Sequence, residues 1–121
     1  MAILITYLIL GGGSSAFLDY IADSKDAVKT VVVEDERQEE ALNILKSMKS
    51  RSKEHSKEVG KTSKEIGKLM EGRDADTAEI AALADRNFES TESFNSDILD
   101  LRFELKNHVT REEWAQVFSG T

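Results

Sequence analysis

Cysteine and proline are both absent from this chain of 121 residues. Without cysteine there is no disulfide, no thiolate metal centre and no cysteine-linked lipid. Without proline, nothing forces a kink or a stop inside a helix, so very long helices are allowed. Histidine is scarce, with only His55 and His108, and the two form no His-x-x-x-His pair. Positive charge is in deficit: the formal net charge is −7, which disfavours general nucleic-acid binding. Catalytic signatures are missing as well. Gly11-Gly12-Gly13 is not followed by a Lys-Ser/Thr pair, so it is no phosphate-cradling loop. No Ser-His-Asp logic or dinucleotide motif can be built. The chain therefore reads as non-enzymatic and without a cofactor.

Charge is also missing from one place. Met1 to Leu18 carries no charged side chain, whereas the rest of the chain is charged almost throughout. A helix that spans a bilayer needs about 20 mostly apolar residues. Ala2 to Ile21 meets that length if Asp19 sits among the headgroups, which predicts a membrane anchor over residues 1–22. Gly11 with Ser15, and Gly12 with Ala16, are small residues four apart, the spacing that lets a second helix approach closely within lipid. Asp19, Asp23, Lys25 and Asp26 follow the stretch with little positive charge. That favours a single-pass protein whose C-terminal part lies outside the cytoplasm. The start is not basic, unlike a cleaved signal peptide. A soluble alternative puts Ile3 to Leu10 in a strand and residues 11–15 in a loop.

The remainder predicts an all-α architecture, a long antiparallel hairpin over residues 24–107. From Ser24 to Glu71 good helix formers dominate. Val28, Val31, Leu42, Leu45, Val59, Ile66 and Met70 follow a helical seam. Residues 72–76 read as the reversal, with Gly72 closing one helix and Asp76-Thr77-Ala78-Glu79 capping the next, Asp74 being the alternative cap. The second seam is Ile80, Ala84, Asn87, Thr91, Phe94, Ile98, Leu101 and Leu105. Folding at the turn sets Ile66 near Ala81, Val59 near Phe88, Ser52 near Asn95 and Leu42 near Leu105. Ser52, Ser56, Gly60, Ser63 and Gly67 then form a stripe of small residues opposite Phe88 and Phe94. Lys46 to Lys68 is net +5 and Asp74 to Asp100 net −7, so opposite charges are expected to set the pairing of the arms. Two helices bury only one stripe each. A second copy or another protein is therefore expected over Ile44, Met48, Leu69, Phe88, Phe94 and Phe103.

The sharpest local pattern closes the chain, in a short capped helix within residues 108–121. Thr110 is placed to cap it, Glu113 to reach back, and Val109 with Trp114 to form a hydrophobic staple. This turn either folds back on the hairpin base near residues 28–42 or presents Trp114 and Phe118 as partner anchors. With its anchor, its hairpin and the Val109-Thr110-Arg111-Glu112-Glu113 turn, the layout resembles membrane-anchored periplasmic metal-resistance sensors and Spy-type stress chaperones. The motif match is confined to residues 109–113, with Val109 for Leu and Glu113 for Gln. The resemblance implies a dimeric, non-enzymatic helical hairpin.

The resulting expectation is a membrane-anchored helical interaction module, a scaffold, accessory subunit or regulator, dimeric or bound to another membrane protein. Its anchor would pack through Gly11, Gly12, Ser15 and Ala16, and its hairpin would bind through Phe88, Phe94, Trp114 and Phe118. Two alternatives stand beside it. One is an extracytoplasmic metal or stress sensor in which His55 or His108 joins nearby carboxylates. The other is a spacer bridging two layers, as in phage lysis proteins.

Overall fold

The computed structural model describes residues 14–118. They form four helices and, among the described residues, no strand: α1 (Ser14–Val31), α2 (Asp35–Met70), α3 (Thr77–Lys106) and α4 (Arg111–Val117). The long pair α2–α3 is the antiparallel hairpin, and the chain reverses over residues 71–76. Glu71 closes α2 in a right-handed helical conformation, its N–H reaching the Gly67 carbonyl while the Gly72 N–H reaches that of Leu69. Asp76 opens α3 by accepting from the Ala78 N–H at 2.9 Å. The arms meet in the expected register: Arg51 lies on Asp97, Glu58 on Ser90 and Ser63 on Asn87.

The run read as continuous from Ser24 breaks over residues 32–34. Thr30-Val31-Val32-Val33 are β-branched, and their stiff side chains lower helix propensity. Gln38 fastens the break. Its amide donates to the carbonyls of Lys29 at 3.1 Å and Val32 at 2.9 Å, two of the acceptors a helix end leaves open.

The break lets α1 fold back along α2, and this changes what the N-terminal stretch does. Phe17, Ile21, Ser24 and Val28, spaced four, three and four apart, are all buried. The Ser24 hydroxyl is satisfied by the Tyr20 carbonyl at 2.8 Å. With Ala41, Ile44, Leu45, Met48, Phe94, Ile98 and Leu105 these apolar side chains make one core. The surface of Ile44 and Met48, expected under a second copy, is thus covered by the chain's own α1. Met70, expected in the seam, is 68 % exposed. Leu83, not foreseen, is buried, while its seam neighbours Ile80 and Ala84 are half-buried.

Residues 14–21, the last part of the expected membrane span, belong to this amphipathic helix. Among the described residues, no helix is long and apolar enough to cross a membrane. Residues 1–13, the rest of that expected span, lie outside the described residues. Gly11 and Gly12 lie outside the described residues, as does the side chain of Ser15. Ala16 is half-buried beside the hairpin.

The small-residue stripe has a different fate from the one expected. Ser52 is buried, but Gly60 and Gly67 face outward, and a Cβ built on either meets nothing within 4 Å. Gly60→Ala and Gly67→Ala are each expected to stabilise the fold by about 0.4–1 kcal/mol, because alanine narrows the unfolded ensemble and favours helix. Urea unfolding of the two variants checks this, the midpoint rising with unchanged slope.

Candidate interaction surfaces

Four aromatic residues were expected to face a partner, and three are engaged inside the chain. Phe94 is 6 % exposed. Its ring stacks on His55 at 4.3 Å between centroids and meets Phe17 edge-on at 6.2 Å. The Arg51 guanidinium lies 5.7 Å above the same ring while its Nε donates to Asp97 at 2.8 Å. Phe118 is buried and stacks on Tyr20 at 6.0 Å. Trp114 packs on Phe118 at 4.6 Å and under the Arg102 guanidinium at 5.4 Å. Phe88 alone stands out in solvent, 70 % exposed.

The C-terminal turn folds back on the base of the bundle. Thr110 and Glu113 form the full capping box, with Thr110 Oγ1 accepting from the Glu113 N–H at 3.1 Å and Glu113 accepting from the Thr110 N–H at 2.8 Å. The same carboxylate receives both terminal nitrogens of Arg37, which also donates to the His108 carbonyl at 3.3 Å and to Glu34 at 2.8 Å. One arginine therefore locks α4 to the start of α2, and the fork geometry suits a carboxylate. The sequence pattern predicted the capping box; nothing local pointed to Arg37, since that contact joins residues far apart in the chain.

Glu113 is held at about 2, first by the Arg37 hydrogen bonds and then by the Thr110 backbone. A carboxylate held below its unfolded value of 4.5 adds stability that is complete above that value and is lost as pH falls toward 2. Glu113→Gln is accordingly expected to flatten the acid limb of the stability profile over that window. Denaturant titrations at stepped pH, with tryptophan fluorescence reporting on Trp114, check this. His55 moves the other way for the charged form. Burial, reinforced by the Arg51 charge and opposed by Glu58, lowers its pKa. Its contribution is present above the ordinary histidine value and declines as pH falls below it.

His55 is thus a packing residue, its ring stacked on Phe94 and its Nδ1 3.5 Å from a Ser90 hydroxyl that also donates to Glu58. His108 is half-buried at the base, with its carbonyl on Arg37. Among the described residues, no three His, Cys, Asp or Glu side chains converge on a point that suits a metal ion. The interior void bounded by Phe17, Tyr20, Leu45, Met48 and Phe118 measures about 10 Å³, at the lower limit for a single water.

What the bundle does present is two long faces. On α2, the seven lysines from Lys46 to Lys68 are all exposed and recur every three or four residues, a ladder about 33 Å long. Among the described residues the ion pairs come from Arg37 and Arg51 alone. The arms are therefore not zipped by lysine–carboxylate pairs, as expected from the charge blocks. They meet through Arg51 and Asp97, and the lysines point away. On α3, Phe88, Leu99 and Phe103 are exposed and share one outer face. Asp85, Glu89, Glu92 and Asp100 stand exposed around them. Searches of protein families, curated proteins and solved structures find nothing that matches this chain.

Proposed function

We propose that the chain is a non-catalytic helical interaction module that acts by contact through its outer faces. One observation carries this reading: Phe88 and Phe103, 70 % and 57 % exposed, lie on one face of α3 with carboxylates beside them. Large aromatics left in water on a folded domain mark a binding surface when they share a face. The open groove between α2 and α3 is lined by Lys46, Ser50, Arg51, Glu54, Asp97 and Asp100, and Arg51 is already engaged with Asp97. The spacer alternative loses its geometric basis, because the reversal over residues 71–76 halves the reach of the rod.

A photo-crosslinking residue placed at Phe88 or Phe103 in cells tests the proposal. Discrete crosslinked species are expected from both positions and from neither Ala41 nor Ile98, which are buried. No crosslinked species from either exposed position overturns it.

Attachment to a membrane enters the proposal in reduced form. Residues 1–13 carry no charge, and they supply the lipid contact without α1. Deleting residues 1–13 is then expected to move the chain from the membrane to the soluble fraction while leaving the thermal midpoint of the bundle unchanged. A chain that stays in the soluble fraction with those residues present removes this part.

A further inference from the structure

We infer that the partner of the α3 face is a second copy of this chain, bound side by side, its α2 lysine ladder against the first copy's Phe88–Phe103 stripe. This deepens the interaction-module reading and rests on it. The α3 face is apolar at Phe88, Leu99 and Phe103 and acidic at Asp85, Glu89, Glu92 and Asp100. Two such faces set against each other would oppose like charges, so the face selects a basic surface rather than its own twin.

The chain carries such a surface at the matching height. Arg51 lies beside Asp97, Glu58 beside Ser90 and Ser63 beside Asn87. These contacts fix which residues of the two arms share a level along the rod. A copy displaced sideways by the width of the bundle brings its α2 to the first copy's α3 with those levels preserved and with the same antiparallel sense. Glu92 then stands between the levels of Lys53 and Lys57, Glu89 between Lys57 and Lys61, and Asp100 between Lys46 and Lys49. Phe88 stands at the level of Gly60, where the absence of a side chain leaves open space on the helix surface. The aliphatic stems of the flanking lysines cover apolar surface while their ammonium groups stay wet.

The stripe from Phe88 to Phe103 runs about 22 Å and the lysine ladder about 33 Å, so the acceptor is long enough for the whole stripe. Among the described residues nothing competes for the ladder, since none of its lysines pairs with a carboxylate. The contact uses a different patch on each partner. It is head-to-tail and extends into short rows rather than closing as a symmetric dimer.

Sedimentation velocity on the purified full chain tests this. Association is expected at low salt and is weakened about tenfold or more when salt is raised to screen the exposed pairs. Two variants sharpen the result. Lys53→Glu with Lys57→Glu removes the basic face, and Phe88→Ser with Phe103→Ser removes the acidic–apolar one. All four positions are exposed, and circular dichroism verifies that each variant keeps its helices. Each variant alone is expected to be monomeric, while an equimolar mixture forms a one-to-one complex, because each supplies the face the other lacks. A wild-type chain that stays monomeric at low salt overturns the inference. So does association that ignores salt, or a mixture that behaves as the sum of its monomers. A monomer that still gives crosslinks of unequal mass from Phe88 in cells sinks only the second-copy occupant and leaves the interaction module standing.

Discussion

Replacing Ile21 with Asp is expected to unfold the chain. Ile21 is 1 % exposed, in a core shared by α1, α2, α3 and the C-terminal turn. A carboxylate there would lose its hydration with no cation placed to receive it. Substitutions that strand a charge in a core fall in the range of about 4 kcal/mol or more. A domain of this size has roughly 5–15 kcal/mol in total, so most or all of the stability goes. Ala22 is the control. It is the next residue, it is exposed, and Ala22→Asp is expected to change stability by no more than about 0.5 kcal/mol. Circular dichroism with urea titration measures both. If residues 2–21 instead crossed a bilayer, positions 21 and 22 would both lie at its edge. The two substitutions would then behave alike.

Phe94→Ala is expected to cost about 3–5 kcal/mol, the range for deleting a buried aromatic ring. The reason is its position between layers: Phe17 of α1 meets it edge-on, His55 of α2 stacks on it, and Arg51 lies over it. Removing the ring takes away the shelf on which the start of α1 rests. Phe88→Ala, six residues earlier on the same helix, is expected to change monomer stability by less than about 0.5 kcal/mol. Unfolding midpoints of the two variants separate them. Phe94→Ala is also expected to raise the histidine pKa toward its ordinary value, because His55 loses much of the burial that lowers it. A proton NMR titration of the His55 ring reads this directly.

These two phenylalanines show where the sequence was legible and where it was not. The hairpin, its reversal near Gly72 and the Thr110–Glu113 box depend on local spacing and short-range hydrogen bonds, and the residues state them openly. The α3 seam also follows from periodicity, and Phe94 lies within it. Its role as a joint between three helices depended on α1. That helix was obscured because an uncharged opening merged with an amphipathic segment. Taken as one unit, the first eighteen residues place Phe17 in a membrane span. The four–three–four spacing of Phe17, Ile21, Ser24 and Val28 was the available signal for a bundle helix, and the β-branched run from Thr30 to Val33 was the signal for the break behind it. Once α1 is in place, Ile44 and Met48 no longer need an external cover.

Charge misled in a second way. Blocks of opposite sign on two adjacent arms suggested mutual neutralisation. In a hairpin the facing positions are the apolar ones, and lysines leave the interface because burying an ammonium is costly. Among the described residues, the cation that bridges the arms is Arg51, whose delocalised guanidinium sits over the Phe94 ring and reaches Asp97. Net charge by segment predicted which surfaces are basic and acidic, but not which way they face.

α1 packs as the third helix of a bundle with α2 and α3. Hydrogen exchange on the full-length chain, with and without anionic lipid vesicles, tests that most directly. The amides from Ile21 to Val28 should be as protected as those from Ile44 to Met48, and equally so in both conditions, since both sets open only when the core unfolds. Rapid exchange of residues 21–28 in buffer, with protection gained only when lipid is added, would contradict the account.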